Sequence, residues 1–123
     1  MIGYITVGTN DFVRAIQFYD ELLATIGINR LWMHDSMAAW GPSRQQTALC
    51  VTTPFDNNTA TAGNGVMIAL KVGSQEQVIA LHAKAAELGG HNEGDPGPRG
   101  DHGFYGGYFR DLDGNKISAY IPG

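Results

Sequence analysis

The sequence predicts an α+β fold built from two tandem β-α-β-β-β units. Three observations predict it. Two stretches carry the three- and four-residue apolar spacing of an amphipathic helix, and a short β-rich run precedes each. The halves match at an offset of about 63 residues, so that Tyr4 falls on Met67, Phe18 on Leu81, Tyr19 on His82 and Gly27 on Gly90. The chain then closes on two aromatic and β-branched runs around Asp113-Gly114-Asn115, a strong hairpin signal because these positions tolerate positive φ. We expect a single domain over 1–123, with unit one at about 1–53, a linker at 54–64 and unit two at about 65–123.

In chain order, Tyr4-Ile5-Thr6-Val7 reads as a strand, and Thr9, Asn10 or Asp11 can cap the helix after it, which should begin near Asp11. Phe12, Ala15, Ile16, Tyr19, Leu22, Leu23 and Ile26 form its buried stripe, with Gly27 placed to end it. Asn29 to His34, Met37 to Trp40 and Gln46 to Thr52 read as three strands separated by turn residues. Pro54 to Asn64 is polar and serves as the connection between halves. Gly65 to Val72 is strand-like again. Ser74 opens the second helix, with Glu76 or Gln77 completing a capping box, Val78, Leu81, Ala85 and Leu88 forming the stripe, and Gly89-Gly90 ending it. The stretch His91 to Gly103 is so dense in Gly and Pro that we expect an irregular rim or lid. In the final strand Ile117, Ala119 and Ile121 should face the core, and Lys116, Ser118 and Tyr120 the opposite side.

The composition bounds the function. At 43% hydrophobic and 16% charged residues the chain has the makeup of a soluble globular protein. A net charge of -4 with no basic stripe argues against a nucleic-acid partner. No apolar run approaches the roughly 18 residues of a spanning helix, and the one cysteine, Cys50, can form no intrachain disulfide, so we expect a cytoplasmic protein with no membrane partner.

Three separated stretches, YITVGTNDFVRAIQFYDELL, GVMIALKVGSQEQVIALHAKAAELGG and GFYGGYFRDLDGNKISAYI, resemble the vicinal oxygen chelate superfamily of glyoxalases, bleomycin-resistance proteins and extradiol dioxygenases. The resemblance covers nearly the whole chain. It implies that each unit curls its strands into half of an open barrel, a mixed sheet with a helix outside each half, and that the protein forms a homodimer. In metal-binding members of that family, His opens each unit and Glu sits in the last strand. Those positions resemble Tyr4, Met67 and Ser118 here, with Cys50 or Ala48 as the fourth. None is a good ligand for a first-row divalent ion, so we expect no metal and no other cofactor. A relocated metal on His34, His91, His102, Asp101 or Glu93 would lack any ligand spacing.

The inward face then comprises Tyr4 and Thr6, Ala48, Cys50 and Thr52, Met67, Ala69 and Lys71, and Lys116, Ser118 and Tyr120, joined by Trp32 and Trp40. The same aromatic residues serve equally as core. We take Trp32, Trp40, Cys50, Met67, Arg99, Tyr105 and Ser118 as ligand-binding candidates. His102, Tyr4 and Tyr120 are the candidates for proton transfer, with Arg99 able to grip a carboxylate or phosphate. Arg110 is expected to pair with Asp111 or Asp113, and His82 to be structural. A protein that binds a small organic ligand ranks first, and a glyoxalase-like or dioxygenase-type enzyme second. An assembly module ranks third.

Overall fold

The two predicted units are present, each built in the same order. The computed structural model describes residues 1–123. Unit one contains β1 (Tyr4–Gly8), α1 (Phe12–Ala24), β2 (Asn29–Met33), β3 (Met37–Gly41) and β4 (Ala48–Thr52). Unit two contains β5 (Ile68–Lys71), α2 (Gln75–Glu87), β6 (His91–Pro98), β7 (Tyr105–Arg110) and β8 (Lys116–Ile121). Sheet 1 has the order β1-β4-β3-β2 and sheet 2 the order β5-β8-β7-β6. In each, the first and last strands of the unit pair in parallel and the remaining pairs are antiparallel. The sheets remain two separate four-stranded sheets, not closed into a barrel.

Local chemistry sets the helices. Asp11 caps α1 by accepting from the Arg14 backbone N–H, and Ser74 caps α2 by accepting from that of Gln77. Gln77 Oε1 reaches back to the Gly73 N–H at 2.7 Å, which closes a capping box one residue wider than usual. Helix α1 ends at Ala24 with Thr25 as its C-cap, and Gly27 supplies the positive φ (+75°) that turns the chain into β2. It buries Ala15, Ile16, Phe18, Tyr19, Leu22 and Leu23, whereas α2 buries only Val78, Leu81 and Ala85.

Each helix lies on its own sheet and the two helices also meet. One cluster of 18 buried hydrophobic residues therefore runs through both helices and the helix-covered faces of both sheets. At roughly 1.5 to 3 kcal/mol per fully buried large side chain, this cluster is the main stabilising term. The units are also joined by a polar latch. The Tyr19 hydroxyl donates to Asp111 Oδ2 at 2.5 Å, and Asp111 Oδ1 accepts from the backbone N–H groups of Asp113 and Asn115. Asn115 Nδ2 donates to Asp111 Oδ2 and to the Gly8 carbonyl of unit one, both at 2.9 Å. The Asp-Leu-Asp-Gly-Asn turn thus fixes the hairpin and ties it to β1, with Gly114 at φ +89°.

Two expectations need correction. The Gly/Pro-rich stretch after Gly90 forms strand β6. It is the outer strand of sheet 2, paired only with β7 and broken by two register shifts, and that is where proline and glycine are tolerated. Arg110 pairs with Glu93 across β7 and β6 and donates to the Gly114 carbonyl, and does not pair with Asp111 or Asp113. His82 is structural as expected: its Nε2 lies 2.9 Å from Asn92 Oδ1 and its ring meets Phe109 edge-on, pinning α2 to sheet 2.

Candidate functional site

Alternation along the strands sorts every side chain to one of two faces. In sheet 1, Ile5, Val7, Ala38, Trp40, Leu49 and Val51 belong to the core or pack on it. Their alternates Tyr4, Thr6, Ala48, Cys50 and Thr52 therefore share the open face. In sheet 2, Phe109, Ile117 and Ala119 are core, which leaves Tyr108, Lys116, Ser118 and Tyr120 on the open face with Gly106. The predicted faces of β8 are those observed.

A cavity of about 350 Å³ opens on sheet 1. Tyr4, Leu31, Trp32 and Met37 form its walls, Ala48 and Cys50 its floor, and Arg44 and Gln46 its rim. The floor is close-set because Cys50 pairs with Ala39 on one side and Thr6 on the other, all short side chains. Cys50 is a free, buried thiol, and burial pushes its pKa up, which leaves it a poor nucleophile at neutral pH. Trp32 stacks obliquely on His34 with ring centroids 4.9 Å apart. Arg44 is tethered to the Leu31 carbonyl at 3.1 Å.

Trp40 does not join Trp32. A register shift between Arg30 and Trp32 sets Trp32 opposite Ala39, while Trp40 stands opposite Arg30 on the helix-covered face. There it is 1% exposed, donates from Nε1 to Asp20 at 2.9 Å and touches a separate cavity of about 420 Å³ at the seam between the units.

Sheet 2 carries a polar and aromatic patch. The Arg99 guanidinium lies 5.3 Å and the Lys116 ammonium 5.8 Å from the centroid of the Tyr108 ring. Tyr120 is half-buried and stacks on Phe104 with centroids 5.3 Å apart. Ser118, 1% exposed, has a hydroxyl with no hydrogen-bond partner. Tyr105 stands opposite Ile121 and packs against the core, so Tyr108, which the sequence reading passed over, occupies the open position. The signal that would have found it is its alternation with Phe109. His102 is exposed in the loop before β7 and makes no side-chain hydrogen bond, and Met67 is exposed just before β5.

The structure therefore divides the single inward face read from the sequence. Tyr4, Trp32 and Cys50 lie on sheet 1, whereas Ser118, Tyr120 and Arg99 gather on sheet 2. No strand of one sheet touches a strand of the other: α1 lies on sheet 1, α2 on sheet 2, and the two helices meet between them. Tyr4, Tyr120 and His102 are not brought together in one chain. Nowhere do three His, Cys, Asp or Glu side chains gather in a geometry that holds a metal ion. Tyr4, Met67, Ser118 and Cys50 offer a phenol, a thioether, a hydroxyl and a protonated thiol on two sheets, a donor set that does not fit the divalent metal of the resembled family. No helix is long and apolar enough to cross a membrane.

Comparison with known proteins agrees with this architecture. The family model described as Glyoxalase/Bleomycin resistance protein/Dioxygenase superfamily matches residues 1–119. The crystal structure of a glyoxalase/bleomycin resistance protein from Albidiferax ferrireducens T118 is 36% identical, with a TM-score of 0.90 over 100% of this chain and 99% of that one. Lactoylglutathione lyase from Agrobacterium tumefaciens shares the fold at 18% identity and a TM-score of 0.70, covering 98% of this chain and 92% of its own. The fosfomycin resistance protein FosX from Mesorhizobium loti does so at 13% identity and a TM-score of 0.68, covering 100% and 92%. No curated protein matches the chain.

Proposed function

Because this chain belongs to the glyoxalase/bleomycin resistance protein/dioxygenase superfamily, whose members place small-molecule chemistry on a shared fold, we propose that it binds a small organic ligand without a metal and without turnover. The observation that carries this reading is the sheet 1 cavity. It has the size of a small-ligand site, and its lining divides about equally between apolar and polar surface, with Trp32, Leu31 and Met37 for the one and Arg44 and Gln46 for the other. Its floor holds no group poised for acid, base or nucleophilic work, since Cys50 is protonated and Ala48 is inert.

A second copy of this chain completes the cleft. The outer edges of β1 and β5 are unpaired, and Ile2, Tyr4, Val66 and Met67 expose large apolar side chains on or beside them. Pairing between copies covers these edges and sets the sheet 2 patch of one copy beside the sheet 1 cavity of the other. A buried unpaired thiol fits a reducing, cytoplasmic compartment.

The test uses the two tryptophans. Trp32 lines the cavity and Trp40 is buried on the opposite, helix-covered face, so titration with aromatic metabolites should change Trp32 emission saturably. Trp32→Phe should abolish the change while Trp40 emission persists. Light scattering should give twice the chain mass, and Val66→Asp should return a folded monomer with weakened binding. Turnover of the bound compound, or a ligand response that survives in Trp32→Phe, would overturn the reading.

A further inference from the structure

The open face of sheet 2 carries a charge pattern at odds with the rest of the molecule. The chain has a net charge of -4, yet this face presents Arg99, Arg110 and Lys116. Glu93 neutralises Arg110, and Asp95 is turned to the Asn92 amide. Arg99 and Lys116 have no carboxylate within ion-pair distance, although the Lys116 charge also acts on Glu93 from further away, and both cations are held against the one ring of Tyr108. Two guanidinium nitrogens of Arg99 are tied to the Asp95 and Pro98 carbonyls, so its charge is fixed in place while remaining uncompensated. With the Tyr108 ring moved aside, an anion that reaches both cations is attracted by each.

Ser118 supplies an independent observation. It stands directly opposite Tyr108 in the β7–β8 register, on the face away from Ile117 and Ala119, and its buried hydroxyl has no partner. A buried hydroxyl left unsatisfied is unfavourable in the free protein and becomes favourable when an acceptor arrives. Beside this polar end, Tyr120 and Phe104 form a stacked pair on which a flat ring can rest.

We propose that this face is an anion site in which Arg99 and Lys116 hold the carboxylate of a small aromatic acid, the Tyr108 ring gives way, and the Ser118 hydroxyl donates to the bound oxygen. The proposal rests on the reading of the open faces as a ligand cleft and names the class of ligand that the cleft takes.

Calorimetric titration with benzoate, and with benzyl alcohol as its uncharged analogue, tests it. Benzoate should bind about tenfold or more tightly than benzyl alcohol, the ratio expected from one charge-assisted hydrogen bond, and less tightly as salt rises. Lys116→Gln and Arg99→Gln should each weaken benzoate by about tenfold and leave benzyl alcohol unchanged. Ser118→Ala should weaken benzoate while melting no lower than the parent, because the lost hydroxyl had no partner. Equal binding of the two probes, or full benzoate affinity in folded Arg99→Gln and Lys116→Gln, would overturn the anion site and leave the cleft reading standing. Binding of neither probe would overturn both.

Discussion

Replacing Tyr19 with phenylalanine removes one oxygen from the place where the two units are joined. That hydroxyl is the donor to Asp111 Oδ2, from a helix of unit one to the hairpin of unit two. A hydrogen bond to a charged group contributes about 1.5 to 3 kcal/mol. The low end applies here, because Asp111 keeps the Asn115 amide and two backbone N–H groups and is not stranded. For a chain of this length roughly 3 to 5 °C of Tm go with each kcal/mol, so Tyr19→Phe should melt about 5 to 8 °C lower at pH 7. A second signature is specific to the bond. Burial first, then the charge of Asp111, the hydrogen bond to it and the charge of Asp113, raise the Tyr19 hydroxyl well above its ordinary pKa. A group whose folded pKa is raised contributes stability that is complete below its unfolded pKa of about 10 and is lost as pH climbs toward the folded value. The parent should therefore lose up to about 1.4 kcal/mol per pH unit above pH 10 from this residue alone, and the variant should lack that component. Thermal melts at pH 7 measure the first, and urea titrations from pH 7 to 11 the second. Equal Tm values at pH 7, or identical alkaline limbs, would refute the latch.

Two further substitutions probe the backbone. Gly90→Ala puts a Cβ 2.8 Å from the carbonyl oxygens of both Ala85 and Arg110, and should cost at least the roughly 1 to 3 kcal/mol of an overpacked core, read by chemical denaturation. Gly27→Ala meets no atom within 4 Å but holds φ +75°, so it should cost only the roughly 1 to 2 kcal/mol of a left-handed residue. Ser74→Ala removes the cap of α2 and should lower stability by about 1 kcal/mol, with hydrogen exchange rising first in that helix.

Much of the fold was legible because its signals are local. Helical spacing in Phe12–Ala24 and Gln75–Glu87, the cap residues Asp11 and Ser74, the Asp-Gly turn, and the alternation of Ile117 and Ala119 with Ser118 each depend on residues within a few positions of one another. The match between halves added topology, since a duplicated sequence repeats its pairing. The site was legible only in part. Tyr4 and Cys50 meet in one cavity as alternation predicts, and Met37 reaches it by its alternation with core Ala38, while Trp32 enters through the register shift in β2 and Arg44 from the loop before β4.

What the sequence determined, then, is which side chains oppose which along each strand, because a period of two is written in the covalent chain. Tertiary structure decided what lies far apart in sequence or depends on a position in a sheet. His91–Pro98 became a strand because an outer position spares proline the ladder hydrogen bonds it cannot make. Trp40 left Trp32 because a single register shift reverses a face. Arg110 found Glu93 and Tyr19 found Asp111, 17 and 92 residues away, because packing of the units set them there. The largest such decision is the insertion of both helices between the sheets, which turns one predicted cleft into two open faces on a single chain.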